Sequence, residues 1–335
     1  MTNTIELAPG LTPVRGQTIP VIDISPLLAG DMSPAAAIGQ ACRDVGFFYI
    51  TNHGVPPTVI DEVYLQAKRF FNLPLAEKEK YAIEKSFCHR GWFRLGGENL
   101  DPAHQKQMGD FKEGFKIGRD LPMDHERVKA GLPLHGPDIW PDLPGWQRVM
   151  QGYYDRMVAL GTLLLRAFAI ALHLPASYFE NWLDVPMTTL GPLHYPAQTG
   201  RITKALLGAG AHTDYGCLTL LHQDDAGGLQ VQAKDGRWLE ALPIPGTLVV
   251  NIGDMMERWT NGVFRSTCHR VINISGKDRY TLPFFFDPDF YAPVACLPTC
   301  LQAGEQPKYQ PTTAGQHLLD MINKAFDYGA GQQNK

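Results

Sequence analysis

The chain of 335 residues has no long hydrophobic run and no cluster of positive charge. No stretch of about 18 apolar residues occurs, so the sequence predicts no membrane-spanning helix. The formal net charge is only −4, and no run of Lys or Arg indicates a nucleic-acid surface. Residues 1–16 lack the basic start and apolar core of a signal peptide. We therefore expect a cytoplasmic protein that binds neither nucleic acid nor membranes.

Cysteine is also sparse, which argues against a disulfide framework. The six cysteines are scattered through a long chain, a usage typical of reduced thiols in the cytoplasm. Two of them lie four residues apart (300 − 296), but no second Cys or His pair completes a structural zinc site. The cysteines are Cys42, Cys88, Cys217, Cys268, Cys296 and Cys300.

What the chain does contain is His212-Thr213-Asp214, with His269 following 55 residues after Asp214 (269 − 214). Two imidazoles and one carboxylate form the facial triad that holds non-haem Fe(II) and leaves positions open. Residues i and i+2 of an extended strand point to one face, so His212 and Asp214 are predicted to reach one metal. A neighbouring strand would then supply His269. Because the chain has eleven histidines, this spacing also arises by chance, and a second feature is needed.

That second feature is Arg279-Tyr280-Thr281, which begins ten residues after His269 (279 − 269). Arg279 and Thr281 share one strand face by the same alternation. A guanidinium fork and a hydroxyl together are suited to gripping a carboxylate. A metal triad followed by a carboxylate clamp would hold an oxo-acid whose other end chelates iron.

The order and spacing of these pieces resemble the isopenicillin N synthase-like family of Fe(II)- and 2-oxoglutarate-dependent oxygenases. In that family the last element is usually Arg-x-Ser, so Thr281 is a departure that keeps the hydroxyl. The similarity extends over most of the chain. Its segments are IPVIDI (19–24), VGFFYITNHGVP (45–56), DFKEGF (110–115), LHYP (193–196), GGLQV (227–231), NIGD (251–254) and LPFF (282–285).

The resemblance implies a reaction that uses Fe(II), 2-oxoglutarate and dioxygen. A small organic substrate would be hydroxylated, desaturated or cyclised, with release of succinate and CO2. The implied iron ligands are His212, Asp214 and His269, and the implied 2-oxoglutarate-binding residues are Arg279, Thr281 and Tyr195. Candidate substrate-lining residues are Arg94, His194 and Phe285, and Arg90 and Lys116 are possible contacts for an acidic group.

Three alternatives remain open at this stage. Isopenicillin N synthase and aminocyclopropane-carboxylate oxidase share the triad but take no electrons from 2-oxoglutarate, and their clamp holds another carboxylate. A jelly-roll binding protein without catalytic activity would not need an intact triad and clamp. A zinc hydrolase built on the same triad would leave Arg279 and Thr281 without a purpose.

Periodicity predicts a mainly β protein with flanking helices. Helices are predicted at 59–71, 75–81, 146–174 and 313–326 from apolar residues at helical spacing. The dipeptide Asn261-Gly262 indicates a two-residue hairpin before the strand of His269. Many short strands with regular turns predict a double-stranded β-helix, or jelly roll, with an α/β N-terminal region. The predicted strands are 21–24, 47–50, 190–195, 211–221, 229–233, 238–241, 247–252, 264–273 and 280–286.

We divide the sequence into an N-terminal α/β region with a long support helix (1–185), a jelly-roll core (186–300), and a C-terminal helix and tail (301–335). The protein is predicted to be a monomer or a weak homo-oligomer. Asp254, which follows a strand, is expected to stabilise a turn. His222 shares the alternation of His212 but is predicted to lie roughly 30 Å from the metal if the strand stays extended.

Overall fold

The computed structural model describes residues 5–14, 19–302 and 304–325. Its α-helices are α1 (Ser25–Leu28), α2 (Ala35–Asp44), α3 (Pro57–Phe71), α4 (Leu75–Lys78), α5 (Glu126–Lys129), α6 (Trp146–Ala171), α7 (Asp254–Trp259) and α8 (Ala314–Ala325). Short 3-10 helices span Glu79–Tyr81, Ile83–Lys85, Glu180–Trp182, Lys204–Leu206 and Pro298–Cys300. The strands are β1 (Glu6–Leu7), β2 (Val21–Asp23), β3 (Phe47–Thr51), β4 (Gly91–Phe93), β5 (Glu113–Lys116), β6 (Thr189–Leu190), β7 (Leu193–Tyr195), β8 (Arg201–Ile202), β9 (Ala209–His212), β10 (Leu218–Gln223), β11 (Leu229–Gln232), β12 (Trp238–Glu240), β13 (Thr247–Ile252), β14 (His269–Val271), β15 (Arg279–Phe286), β16 (Pro293–Val294) and β17 (Thr312–Thr313).

Two sheets form the centre of the molecule. The larger has nine strands in the order β2-β3-β13-β10-β15-β7-β5-β4, with β6 pairing with β15, and the smaller has four in the order β12-β11-β14-β9. Side chains of both sheets share one buried cluster, for example Phe47 and Val249 of the larger sheet with Val231 and Val271 of the smaller. The two sheets therefore pack face to face, which is the jelly-roll core that the sequence predicts.

The long helix α6 covers the other face of the larger sheet. Its buried residues join Leu220, Phe284 and Phe286 of the sheet in the main hydrophobic core. Gly161 allows a close approach, because a Cβ atom at this position would lie 2.3 Å from the Phe286 ring. The helix ends at Ala171, three residues before the predicted end, where His173 takes a left-handed backbone conformation (φ 59°).

Two predicted strands are each divided in the structure. The stretch 211–221 is split between β9 in the smaller sheet and β10 in the larger one, so the chain crosses between the layers. Asp214 therefore lies beyond the end of β9, and its predicted position within one strand with His212 is wrong. The stretch 190–195 is interrupted at Gly191 and Pro192, because proline has no N–H for the sheet.

The predicted hairpin at Asn261-Gly262 is also wrong. Both residues have positive φ angles, 52° and 82°, as a two-residue hairpin requires. They instead follow the last turn of α7, where the Gly262 N–H donates to the Glu257 carbonyl at 2.8 Å. A left-handed Asn or Gly serves equally well after the end of a helix, which explains the error.

Strands from before residue 186 belong to the same sheet as the core. β2 and β3 extend the larger sheet beyond β13, and β4 and β5 extend it beyond β7. The division at residues 185 and 186 thus stays a prediction about the sequence, since it does not separate two sheets. Of the C-terminal helix predicted at 313–326, the structure describes α8, and residue 326 lies outside the described residues. None of the helices in the described ranges is long and apolar enough to span a membrane.

Candidate metal centre

Two short strands of the smaller sheet bring the two histidines together. His212 ends β9 and pairs directly with His269, which begins β14. Asp214 follows two residues after His212, where the chain turns towards β10. One ligand atom from each of these three side chains lies within 4.8 Å of the others, and no other such group of three occurs among the described residues. The structure thus assembles the three residues predicted as a triad.

The backbone fixes which nitrogen of each imidazole is available. His212 Nδ1 donates to the Gly210 carbonyl at 2.7 Å, and His269 Nδ1 donates to the Thr267 carbonyl at 3.1 Å. A carbonyl oxygen only accepts, so each Nδ1 must carry the proton and each Nε2 keeps its lone pair. The two Nε2 atoms lie 3.7 Å and 3.5 Å from Asp214 Oδ1. All three ligand atoms therefore point to one spot.

Asp214 is oriented through its other oxygen. Its Oδ2 accepts from the Thr219 hydroxyl at 2.5 Å and from Asn251 Nδ2 at 2.7 Å. Thr219 and Asn251 are paired across β10 and β13 of the larger sheet, so rigid neighbouring strands hold them. Oδ1 is left to face the two imidazoles.

Electrostatics sets the protonation states that a cation requires. Burial lowers the pKa of His269 to about 4 and also lowers the pKa of His212. Burial alone would raise the pKa of Asp214, but the positive charge of either histidine in its protonated form and the hydrogen bonds from Asn251 and Thr219 lower it. The cluster thus offers two neutral imidazoles and one carboxylate, the forms in which these side chains bind metal.

Asp254 braces the turn that contains Asp214. Its Oδ2 accepts from the Thr213 hydroxyl at 3.1 Å and its Oδ1 from the Ser266 hydroxyl at 2.6 Å. Its backbone N–H donates to the Asp214 carbonyl at 2.7 Å. Asp254 therefore ties the segment of Asp214 to the segment that leads into His269, which is the turn-stabilising role that the sequence predicts.

A cavity of about 100 Å³ adjoins the cluster and contains the predicted clamp. Along β15, residues Arg279, Thr281, Pro283 and Phe285 all line this cavity, as alternation along a strand requires. The Arg279 guanidinium lies 4.7 Å from the centre of the Tyr195 ring, and its Nε donates to the Gly227 carbonyl at 2.6 Å. The three ligand residues and the clamp thus line one cavity.

The donors of the clamp have no partner in the described protein. Arg279 Nη1 and Nη2 and the Thr281 hydroxyl are buried without a hydrogen bond to any described residue. Buried guanidinium N–H groups without acceptors are costly, so a site of this kind fits an anionic ligand that completes the hydrogen bonds. A dicarboxylate that reaches from Arg279 to a metal at the cluster would do so.

The three predicted substrate-lining residues have different positions. Phe285 lines the cavity beside the cluster. It also lines a second cavity of about 130 Å³, the outer cavity, which shares His212 and Asp214 with the first. His194 lines neither, because its Nδ1 bonds to Glu113 Oε1 at 2.9 Å and its ring stacks on Tyr280. Arg94 is exposed and also lines neither. The structure thus places neither His194 nor Arg94 in the lining of these two cavities, and their contact with substrate stays a prediction.

The outer cavity also contains two residues to which sequence reasoning gave no role, Leu318 and Ile322. They come from α8, which lies more than a hundred residues away from the cluster in the sequence (318 − 214). Glu98 lines the same cavity from an irregular loop. No local pattern marks such distant contacts. Besides these, the lining includes His89, Arg90, Leu100, Lys116, Leu134, Met187, Thr189, Tyr215 and Asp287.

Comparison with known families agrees with this geometry. The family described as non-haem dioxygenase in morphine synthesis N-terminal matches residues 19–143, and the 2OG-Fe(II) oxygenase superfamily matches residues 192–288. A 2-oxoglutarate-Fe(II) type oxidoreductase of Emericella nidulans is 38% identical over 327 residues, which cover 93% of this chain and 90% of the relative. The chain therefore belongs to the 2OG-Fe(II) oxygenase superfamily, and the predicted family is confirmed.

Other relatives have names or bound molecules that differ in chemistry. A homoarginine-6-hydroxylase of Arabidopsis thaliana is 36% identical over 328 residues, which cover 92% of this chain and 89% of the relative. The crystal structure of a full-length Neurospora crassa protein in complex with alpha-KG and thymine superposes with a TM-score of 0.80 at 31% identity, covering 94% of this chain and 99% of that one. The protein is thus an oxidoreductase of a family that uses Fe(II), 2-oxoglutarate and dioxygen.

Proposed function

We propose that His212, Asp214 and His269 bind Fe(II) and that Arg279 and Thr281 hold 2-oxoglutarate beside it. The observation that carries this proposal is the pair of partnerless guanidinium nitrogens on Arg279, which face the same cavity as the three ligand atoms. Iron, 2-oxoglutarate and dioxygen together supply the oxidising chemistry when bound, and the protein supplies placement.

The residues that line the cavity would have different roles in positioning 2-oxoglutarate. The Arg279 fork would donate two parallel hydrogen bonds to one carboxylate of 2-oxoglutarate. The Thr281 hydroxyl would donate to the same carboxylate. Tyr195 packs against the guanidinium face and keeps the fork directed into the cavity. The apolar walls, Leu193, Leu221 and Val271 among them, would exclude water.

The outer cavity is proposed as the substrate site. It joins the cluster, since His212 and Asp214 belong to its lining. Apolar side chains such as Leu134, Met187 and Leu318 share its wall with charged ones, among them Arg90, Glu98, Lys116 and Asp287. Such a site suits a small organic molecule that carries both apolar and polar groups. We propose that this substrate is hydroxylated, desaturated or cyclised, with release of succinate and CO2.

An oxidase that consumes no 2-oxoglutarate is the competing proposal. In that case Arg279 and Thr281 would hold a carboxylate of the substrate itself. The relatives named for 2-oxoglutarate favour the first proposal, since they cover nearly the whole chain. Oxygen uptake without formation of succinate would favour the second.

An anaerobic titration tests the proposal directly. Fe(II) and then 2-oxoglutarate are added to the protein, and the visible charge-transfer band of the complex is recorded. A substrate panel follows, with succinate release as the signal. Binding of one Fe(II) and one 2-oxoglutarate per chain supports the proposal, whereas a wild-type protein that binds iron but no 2-oxoglutarate contradicts it.

We infer a cytoplasmic location from the six cysteines, all of which are unpaired thiols in the structure. A monomer or weak homo-oligomer that binds neither nucleic acid nor membranes stays our prediction. Fractionation of the source cells and sedimentation of the purified protein test these two points.

A further inference from the structure

A fully buried lysine lies beside the metal cluster, between two carboxylates. Lys112 Nζ contacts Asp110 Oδ2 and lies 2.8 Å from Glu98 Oε2, and only 2% of its side chain is exposed. Burial alone would lower the pKa of Lys112, but the charges of Asp110 and Glu98 outweigh this and raise it. The lysine is therefore a permanent cation in the interior, and it lines the cavity that contains His212.

This ion cluster is connected to His212 through the backbone of Gly210. The Gly210 N–H donates to Asp110 Oδ1 at 2.8 Å, and the Gly210 carbonyl accepts from His212 Nδ1 at 2.7 Å. Both polar groups of Gly210 are thus engaged, one by the ion cluster and one by the histidine.

The strand itself is irregular where this connection occurs. In the pairing of β9 with β14, Ala209 lies opposite Val271 and His212 opposite His269. Two residues of β9, 210 and 211, therefore face the single residue 270 of β14, which is a β-bulge. Bulges re-aim the neighbouring side chain and leave backbone groups outside the ladder. At this bulge, Asp110 supplies the acceptor for the Gly210 N–H that the ladder does not.

We propose that Asp110, Lys112 and Glu98 form a positioning relay that sets the orientation of the His212 imidazole for metal binding, an inference that rests on the proposed function. Asp110 holds the bulge in place by accepting the Gly210 N–H. Lys112 in turn holds the Asp110 carboxylate in place through their ion pair. Glu98 braces Lys112 from the side of the outer cavity. In this scheme none of the three side chains is a ligand of the metal, although Lys112 and Glu98 also line the cavity proposed for 2-oxoglutarate.

The chain offers a matched control for a purely structural role. Asp138 is also buried, lies 3.2 Å from the Arg90 guanidinium, and accepts the Gly118 N–H at 2.8 Å. It repeats the chemistry of Asp110, an acid with a buried cation and a backbone N–H. That N–H belongs to Gly118, which lies outside the strands β9 and β14 that carry the two histidines. Loss of Asp138 should lower stability without changing the metal site.

The test is the affinity for Co(II), a redox-stable probe, measured by calorimetry on the full chain. Loss of a hydrogen-bond partner of a metal-binding histidine typically lowers the affinity for the metal by about 10–100-fold. We expect a loss of this size in Asp110→Ala and Lys112→Met. Asp110→Asn, which keeps an oxygen for Gly210, should lose less than Asp110→Ala. Asp138→Ala should bind Co(II) like the wild type although its melting temperature falls.

Each outcome has one meaning. Wild-type affinity in folded Asp110→Ala and Lys112→Met overturns the relay, and so does an equal loss in Asp138→Ala. If Asp110→Ala does not fold, Asp110→Asn is compared with Asp138→Asn, and equal affinities again overturn it. If the wild type binds no Co(II), or if His212→Ala binds as well as the wild type, the proposed function fails instead.

Discussion

Asn251 Nδ2 donates to Asp214 Oδ2 at 2.7 Å and thereby decides which oxygen of the carboxylate faces the two histidines. Asn251→Ala removes this donor, and the carboxylate becomes free to rotate about its bond to Cβ. We expect Fe(II) to bind about 10–100-fold more weakly, the usual effect of losing a partner of a ligand. Calorimetric titration under nitrogen measures it. Gln230→Ala, which removes a buried amide of the smaller sheet, is the control and should leave the Fe(II) affinity unchanged.

Asp214→Ala removes the only carboxylate of the triad and should abolish succinate formation, with the fold retained. Asp214→Glu should also be poor, because a displacement of about 1 Å at a reacting centre can cost ~100-fold in rate. Turnover is measured with added Fe(II), and circular dichroism verifies folding. An alanine variant with full activity would mean that the metal is held elsewhere.

Arg279→Leu should lower the affinity for 2-oxoglutarate by on the order of tenfold to a hundredfold or more, since charge-assisted hydrogen bonds contribute roughly 1.5–3 kcal/mol each. Arg279→Lys should also bind poorly, because an ammonium lacks the two-pronged geometry. The measurement is a 2-oxoglutarate titration of the Fe(II) protein. Arg270→Lys, which changes a buried arginine that stacks on Trp238, serves as the control. A similar loss in both lysine variants would point to general destabilisation.

Thr281 separates a role in hydrogen bonding from a role in packing. If its hydroxyl donates to the carboxylate of 2-oxoglutarate, Thr281→Ser should be nearly silent. Thr281→Val keeps the shape of the side chain but removes the donor, so it should weaken the binding of 2-oxoglutarate by about 1–3 kcal/mol. We expect Val to be the poorer variant. The opposite order in the same titration would assign the effect to the methyl group.

Leu318 places a side chain of α8 in the wall of the outer cavity. The adjacent His317 bonds to the Tyr215 carbonyl at 2.8 Å and so anchors the helix next to Asp214. Leu318→Ala should enlarge the substrate site, which raises KM or admits bulkier substrates, while affinity for Fe(II) and 2-oxoglutarate stays unchanged. Leu65→Ala, an exposed residue of α3, is the control. If Leu318→Ala and the wild type had equal kinetics with every member of a substrate panel, α8 would have no role in substrate recognition.

The parts of the site that could be predicted from sequence are those on one continuous strand. β15 runs without interruption for eight residues, so alternation predicts that Arg279, Thr281 and Phe285 share a face. Alternation also decides between His194 and Tyr195, which are neighbours on β7 and must point to opposite sides. Tyr195 pairs with Arg279 and faces the cavity, and His194 pairs with Tyr280 outside it.

Alternation fails where the chain leaves a strand. Asp214 reaches the metal cluster because the turn between β9 and β10 carries it there, and the spacing of His212 and Asp214 alone does not show this turn. His222 illustrates the same crossing, since it lies on β10 in the other sheet, bonded to the Tyr64 hydroxyl at 2.9 Å. Glu98 and Lys112 reach the cavity of His212 from irregular segments, where no periodicity links sequence to contact.

The two histidines and the clamp belong to different layers of the sandwich. His212 and His269 are carried by the four-stranded sheet, whereas Arg279 and Thr281 are carried by the nine-stranded sheet. An oxo-acid that chelates a metal at one end and binds the guanidinium at the other would therefore connect the two layers. Ligand at about a hundred times its dissociation constant adds roughly 2.7 kcal/mol to the free energy of unfolding. Saturation with metal and oxo-acid would then slow the separation of the two sheets, and proteolysis of the strands between them would slow with it.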